Sequence, residues 1–474
     1  MTKYALAGPL LLALTLARPS RATESPAGTD AYLDKSRGQW EETARKIWGF
    51  HEVALEERQS SALLADLLEK EGFEVRRGFS GMPTAFAARA GKGEPVVAVL
   101  AEYDALPDLS QAGGAAKKQP VQAGAPGHGC GHNLLGTAAV AAAVAANRAR
   151  MAERLGGTIV VFGTPAEELL QGKVFMARDG AFREVGAVLA WHPGTESQVV
   201  NRVRLALGAL DVEFFGKTAH AAANPWLGRG ALDAVELLDH ALALMREHVR
   251  PTARMHRVVK SGGTVPNIIS DYAKVQWWVR DANAAGMEDL VARVRKAAEG
   301  VALATETRAK VTLLAQTRDP VPNDVLDHVV QRQLERVGAP RWEDSDLAQA
   351  RAIQAELGIE SRGLAGAVVP YGRGHGGTAS SDIGEVSAVA PLTELAVAVA
   401  PLGAPFHHWA VTSCALHPIG FKGMGVASKV LAASLVDLLR DPGLVRAARE
   451  ELAKATDGKP YQSPLAPDAR PAAY

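Results

Sequence analysis

The chain has 474 residues, room for two or three domains at ~150 residues each. Lysine plus arginine and aspartate plus glutamate both number 52, so the formal charge is zero, which argues against a basic nucleic-acid footprint or a polybasic membrane patch. Hydrophobic residues at 47% and charged residues at 22% are ordinary for a globular protein, and two cysteines cannot build a disulfide framework.

Residues 1–22 read as a signal peptide outside the fold: Lys3 gives a short positive start, Tyr4 to Ala17 is largely apolar, and Ser20-Arg21-Ala22 offers a small-x-small cleavage site. The apolar run of about 14 residues falls short of the ~20 that span a hydrocarbon core. Export without stable membrane insertion is therefore expected, with a bacterial periplasm as the destination. Exported proteins usually spend cysteines on disulfides, yet Cys130 sits in a Gly/His-rich loop far from Cys414. Cys130 reads as a ligand and Cys414 as a small buried hydrophobe.

Asp34 to Glu71 has a helical pattern, and Phe73 to Ala90 alternates as a strand pair. Glu94-Pro95 opens the apolar run Val96 to Leu100, which fits a central parallel strand buried on both faces. That strand delivers Glu102, Tyr103 and Asp104 at its C-terminal end, where ligand sites of open α/β sheets lie. Asn133 to Arg150 is a helix of small residues, suited to close packing on the sheet. Thr158 to Gly163 and Ala187 to Trp191 are two more buried strands, leading into Glu167-Glu168 and His192.

A different texture follows. Leu210, Val212 and Phe214 alternate with acidic residues, and Leu232, Val235, Leu238, Leu242, Met245 and Val249 form one face of a helix. Ala273 to Val279 alternates again, Met287 to Leu303 is an amphipathic helix, and Lys310 to Leu314 is a strand. The pattern predicts an α+β module at 203–317 inserted into an α/β catalytic domain made of 30–202 and 318–455, with a loose Pro-rich tail at 456–474.

Four segments carry ligand chemistry: Gly127 to Asn133 with Cys130 and His132, Pro165 to Glu168, Trp191-His192-Pro193, and Phe406-His407-His408-Trp409. A thiolate, imidazoles and a carboxylate suit a borderline divalent ion such as zinc, with manganese, cobalt and nickel as alternatives. No Cys-x-x-Cys occurs, so thioredoxin-like and c-haem chemistry is excluded.

Together with Ala101-Glu102-Tyr103-Asp104-Ala105-Leu106-Pro107, Gly163 to Glu168 and Gly216-Lys217-Thr218-Ala219-His220, these segments resemble the dinuclear metallohydrolases that include aminoacylase, carboxypeptidase G and the indole-acetyl-amino-acid hydrolases. The resemblance runs from about residue 35 to 440, and Ala222 to Gly230, Thr264 to Asn267 and Ser381 to Gly384 extend it. It implies a mixed, mostly parallel sheet flanked by helices, with a ferredoxin-like lid that also forms a dimer interface. Two divalent ions are implied, bridged by Cys130, with His132 and Glu168 or His192 and His407 completing the two coordination spheres. Glu167 would be the general base, Asp104 would orient a ligand imidazole, and His220 would reach the partner's site to stabilise an oxyanion. Asn267 and Arg280 would bind the substrate's terminal carboxylate.

Glu102 stands where carboxypeptidase-type relatives have a metal-binding histidine. In the cysteine-bearing subfamily His132 takes that duty, so Glu102 is not assigned as a ligand. His128 is read as a core residue, His407 is preferred to His408, and His375 and Asp382 are minor candidates for contact with the site. The implied activity is metal-dependent hydrolysis of N-acyl or N-aroyl amino acids, p-aminobenzoyl-glutamate foremost, in a homodimer to which a second hydrolase subunit could be added. A dipeptidase and a noncatalytic acyl-amino-acid-binding protein are the alternatives.

Overall fold

The computed structural model describes residues 25–200, 204–372 and 379–472. The expected signal peptide, the 202/203 boundary and His375 lie outside the described residues. Three helices open the fold: α1 (Thr29–Lys35), α2 (Arg37–Phe50) and α3 (Arg58–Lys70). The helical pattern of Asp34 to Glu71 is thus interrupted. Glu52 causes the restart, because its carboxylate accepts the Gln59 and Ser60 backbone N–H groups at 2.9 Å each and so caps the first turn of α3.

The hairpin β1 (Glu74–Phe79) and β2 (Met82–Lys92) leads to β3 (Val96–Ala101), α4 (His132–Ala152), β4 (Gly157–Gly163), α5 (Gly172–Arg178), β5 (Ala187–Gly194) and the short β6 (Gln198–Val199). A second unit follows: β7 (Ala206–Phe215), α6 (Ala231–Met245), β8 (Arg254–Ser261), β9 (Tyr272–Asp281), α7 (Ala284–Ala304) and β10 (Arg308–Thr317). The chain then adds α8 (Asp324–Val337), α9 (Asp344–Leu357), α10 (Ile383–Ser387), β11 (Leu392–Ala398), α11 (Trp409–Cys414), α12 (Pro418–Arg440) and α13 (Pro442–Ala455).

The first sheet has seven strands in the order β1-β2-β4-β3-β5-β11-β6. Its middle strands β4, β3, β5 and β11 run parallel, while β2 and β6 add on antiparallel. Every residue of β3, β4 and β11 is buried, which is why each reads as an unbroken apolar run with few polar residues. Because β11 comes from the far end of the chain and pairs with β5, residues 206–317 are looped out of one continuous sheet. They form an antiparallel sheet ordered β10-β7-β9-β8, with α6 and α7 sharing a separate core that includes Leu210, Val212, Leu238, Val275 and Leu290.

The helix α12 is long and apolar enough to cross a membrane, but 78% of its apolar window is buried inside the protein, where it packs on α4. The tail expected to be loose is instead docked over its described length. Gln171 exchanges two hydrogen bonds with the backbone of Ala472 at 2.8 and 3.0 Å, Leu465 is buried, and Tyr461 donates to Glu385 at 2.6 Å. Its hydrogen bonds are made across 76 to 301 residues, so no local pattern announces them.

The helix α4 sits unusually close to β3. At Gly136 a Cβ would lie 2.6 Å from the Glu102 carbonyl oxygen and 3.1 Å from Leu64 Cδ1, so only glycine allows the approach that places His132 beside the end of β3. Gly136→Val is therefore expected to destabilise the protein by about 2 kcal/mol through overpacking, read from denaturant unfolding at constant slope.

Candidate metal centre and substrate cleft

Asp104, at the end of β3, is fully occupied by two partners. Its Oδ1 accepts from His132 Nδ1 at 2.9 Å, and its Oδ2 accepts the Glu168 backbone N–H at 2.9 Å. Burial alone would raise the Asp104 pKa, but His132 and the Glu168 amide outweigh it and hold the carboxyl below its ordinary value. With Nδ1 turned to Asp104, the other ring nitrogen of His132, Nε2, is a buried atom without a hydrogen-bond partner.

Gly131, with φ 77, turns the chain into α4 directly after Cys130. Cys130 Sγ lies 3.2 Å from His192 Nε2, and His192 Nδ1 donates to the Pro193 carbonyl at 2.7 Å, so Nε2 is again the available nitrogen. Burial pushes the Cys130 thiol pKa up and the His192 and His407 pKa values down, the latter favouring the neutral rings that bind metals.

The turn after β4 presents Glu167 and Glu168. Ala166 occupies the left-handed region at φ 57, and its N–H donates to Glu57 Oε1 at 2.9 Å, while Thr84 donates to Glu57 Oε2 at 2.9 Å. Burial, reinforced by Asp104, raises the Glu57 pKa to about 8. Glu57 on one side and Asp104 on the other pin the two glutamates. Sequence reasoning missed Glu57, because its partner is a backbone amide 109 positions away.

Glu168 Oε2 lies 3.3 Å from His407 Nε2, and Glu168 Oε1 is a second buried atom without a partner. His407 lines the cleft, whereas His408 caps α11 with its side chain. His128 is fully buried, bonded through Nε2 to the Ile47 carbonyl at 3.1 Å, with a pKa lowered to about 3 by burial. Cys414 is buried in the core.

Two groups of donor atoms share Cys130: Cys130, His132 and His192 in one, Cys130, Glu168 and His407 in the other, the atoms of each group lying within 4.8 Å of one another. Of the two pairings expected, neither is the one observed, since His132 groups with His192 and Glu168 with His407. The donor set fits divalent metal ions: a thiol, available imidazole nitrogens and unpartnered buried carboxylate oxygens converge on one place.

From this place a cleft of about 620 Å³ extends between the two units. Glu167, Trp278, Arg280 and Ser380 line it together with Cys130. Arg280 donates through Nε to Ser380 Oγ at 3.2 Å and lies 5.3 Å from the Trp278 ring centre. Among the described residues it forms no ion pair. Arg204 also lines the cleft but is bound by Glu394, a pair that sequence reasoning did not single out.

His220 and Asn267 are not brought to this cleft. They lie together on exposed loops of the second unit, where Ala221 N–H donates to the Asn267 carbonyl at 3.0 Å. His220 Nδ1 accepts the Ala222 and Ala223 N–H groups, each at 3.1 Å, which leaves Nε2 for another partner. Asp382 reaches the site indirectly, through a buried contact with Lys173 at 2.5 Å.

Residues 98–351 match peptidase family M20/M25/M40. The chain is 36% identical to one of the subunits of the p-aminobenzoyl-glutamate hydrolase of Escherichia coli (strain K12), over 93% of this chain and 98% of that one. It is 34% identical to Xaa-Arg dipeptidase of Mus musculus, over 58% of this chain and 62% of that one. Its fold is similar to the crystal structure of aminobenzoyl-glutamate utilization protein from Klebsiella pneumoniae, with a TM-score of 0.60 at 18% identity, over 86% of this chain and 98% of that one. With a match over more than half its length and a relative this similar from end to end, the chain belongs to peptidase family M20/M25/M40 and is a hydrolase acting on amides.

Proposed function

We propose that the protein hydrolyses the amide bond of N-acyl or N-aroyl amino acids with a free carboxylate, p-aminobenzoyl-glutamate being the substrate of choice. The observation that carries this reading is one cleft lined both by metal donors and by Arg280, which is free of ion pairs among the described residues. Cys130, His132, Glu168, His192 and His407 would hold two divalent ions, zinc or manganese first, with cobalt or nickel as alternatives. When bound, such ions supply Lewis acidity, polarising a carbonyl and bringing the pKa of water toward ~7.

The chain's own residues do the rest. Glu167 accepts the proton of the attacking water and returns one to the leaving amine nitrogen. Arg280, steadied by Ser380 and Trp278, forks onto the terminal carboxylate and fixes which amide sits over the metal donors. Asp104 holds the His132 tautomer.

His220 and Asn267 serve a second copy of the chain. Their loops adjoin exposed Trp226, Leu227, Val265 and Ile268, apolar side chains that a homodimer would cover. A second, different hydrolase chain is a further partner, suggested by the name of the Escherichia coli relative, which makes that protein one component of a larger enzyme. Export through residues 1–22 is part of the same proposal.

The test is amino-acid release from p-aminobenzoyl-glutamate, N-acyl amino acids and dipeptides, with zinc or manganese restored. Preferential cleavage of p-aminobenzoyl-glutamate is expected. Cleavage of dipeptides alone would make it a dipeptidase, and silence of every metal-loaded sample, with and without a second hydrolase chain, would point to a binding protein. Mixing His220→Ala and Glu167→Gln chains should restore about a quarter to half of the wild-type rate in isolated heterodimers, since one of the two sites is then intact. No recovery would remove His220 from the partner's site.

A further inference from the structure

The turn that carries Glu167 and Glu168 is tightly wound. Leu170 N–H donates to the Glu167 carbonyl at 2.7 Å, and Gln171 N–H donates to the Ala166 carbonyl at 3.1 Å. Ala166 and Leu170 both occupy the left-handed region, at φ 57 and 54, which residues with a Cβ keep only when their surroundings hold them there. Glu57 holds the Ala166 N–H and Asp104 the Glu168 N–H. The far end of the turn is held by the tail: the Gln171 side chain donates to the Ala472 carbonyl at 2.8 Å and accepts the Ala472 N–H at 3.0 Å.

The tail meets this region along its whole described length. Arg178, the last residue of α5, donates to the Ala469 carbonyl at 2.8 Å, and Leu465 is buried in one core with Val174, Phe175, Ile383 and Val386. Tyr461 donates to Glu385 of α10 at 2.6 Å. The tail thus grips α5 at both ends and reaches across to α10. Those two helices meet at a buried pair: Lys173 N–H donates to Asp382 Oδ2 at 2.9 Å, and the Lys173 ammonium lies 2.5 Å from Asp382 Oδ1. The same ammonium contacts Glu102 Oε1 at 2.8 Å, beside the metal donors.

Resting on the reading of Glu167 as the base and Glu168 as a metal donor, we infer that residues 461–472 are a positioning strap for these two glutamates. The strap acts through Gln171 and through the Lys173–Asp382 pair, and it touches no substrate. A tail that merely covered apolar surface would have no reason to close two hydrogen bonds on a residue three places after Glu168. Catalytic groups displaced by about 1 Å lose up to ~10²-fold in rate, so holding a strained turn in register has a kinetic consequence.

Because Gln171 binds the backbone of Ala472, changes of backbone and of side chain at that position separate the effects. In the full-length protein, Ala472→Pro removes the N–H that Gln171 accepts, whereas Ala472→Ser keeps both backbone groups. Ala472 is exposed, so neither change disturbs the core. Ala472→Pro and Gln171→Ala should lower kcat for p-aminobenzoyl-glutamate about 3- to 30-fold with KM within about twofold, and Ala472→Ser should match the wild type. Hydrogen–deuterium exchange gives a readout independent of turnover: amides in 164–175 should exchange about 5-fold faster in Ala472→Pro, as expected for one lost hydrogen bond, with α12 unchanged. Unchanged exchange in that segment, or faster exchange with full kcat, would overturn the strap. Acceleration throughout the chain would make the tail a general stabiliser and overturn it as well. Silence of the wild type toward every amide would sink the substrate reading instead, while acceleration confined to 164–175 would still support a strap on the turn.

Discussion

Glu167→Gln is expected to keep a full complement of bound metal and to lose amide hydrolysis by about 10³-fold, within the range that general acid–base groups contribute. Glu167 lines the cleft and is 7% exposed; its carboxylate groups with Glu102 and His132, but it belongs to neither of the two groups built around Cys130. Its neighbour Glu168 does, with Oε2 at 3.3 Å from His407 and its backbone held by Asp104. One glutamate therefore binds while the other is left to move a proton. Amide cleavage needs such a group, because an amine leaves poorly unless it is protonated as the bond breaks. KM should change little, since Arg280 and the metal donors are untouched, so the loss should fall on kcat. Elemental analysis beside the rate assay checks this. Metal loss in Glu167→Gln, with metal retained in Glu168→Gln, would reverse the two roles.

The elements that position this site were legible where burial imposes a simple pattern. Val96 to Leu100 announces a strand buried on both faces, and Glu102 and Asp104 follow at its functional end because the pattern stops there. The small-residue helix after Cys130 was equally plain, since only close packing explains so many alanines. Legibility fails where a residue's partner is a distant backbone group or a second buried charge. Glu57 holds the turn of Glu167 through the Ala166 amide, and Lys173 joins Glu102 to Asp382. Neither contact leaves a periodic trace. The pairing of ligands was missed for a related reason: chain order says nothing about which of His132, Glu168, His192 and His407 face each other across Cys130. The docked tail is the extreme case, held by Gln171 through the backbone of a residue 301 positions away.

Cys130→Ala should have the widest effect on the metal centre, because Cys130 is the one side chain in both donor groups assembled around it. Removing it takes a donor from each of two three-residue groups at once, whereas His407→Ala or His192→Ala takes a donor from one. The expected result is less than one tightly bound ion per chain and no measurable hydrolysis in Cys130→Ala, against about one retained ion in His407→Ala. Cys130→Ser should behave like the alanine variant, since a hydroxyl does not ionise near neutral pH while a thiol gives up its proton to a metal. That proton also sets the sign of the pH dependence. Binding that displaces a proton tightens as pH rises, so wild-type affinity should climb toward alkaline pH, and the part of that slope due to the thiol should vanish in Cys130→Ser. Buried as it is, at 5% exposure, Cys130 has no role on the surface that could account for the same loss. Equilibrium dialysis with elemental analysis at several pH values separates the outcomes, and two ions retained in Cys130→Ala would show that the groups around His132 and Glu168 stand independently.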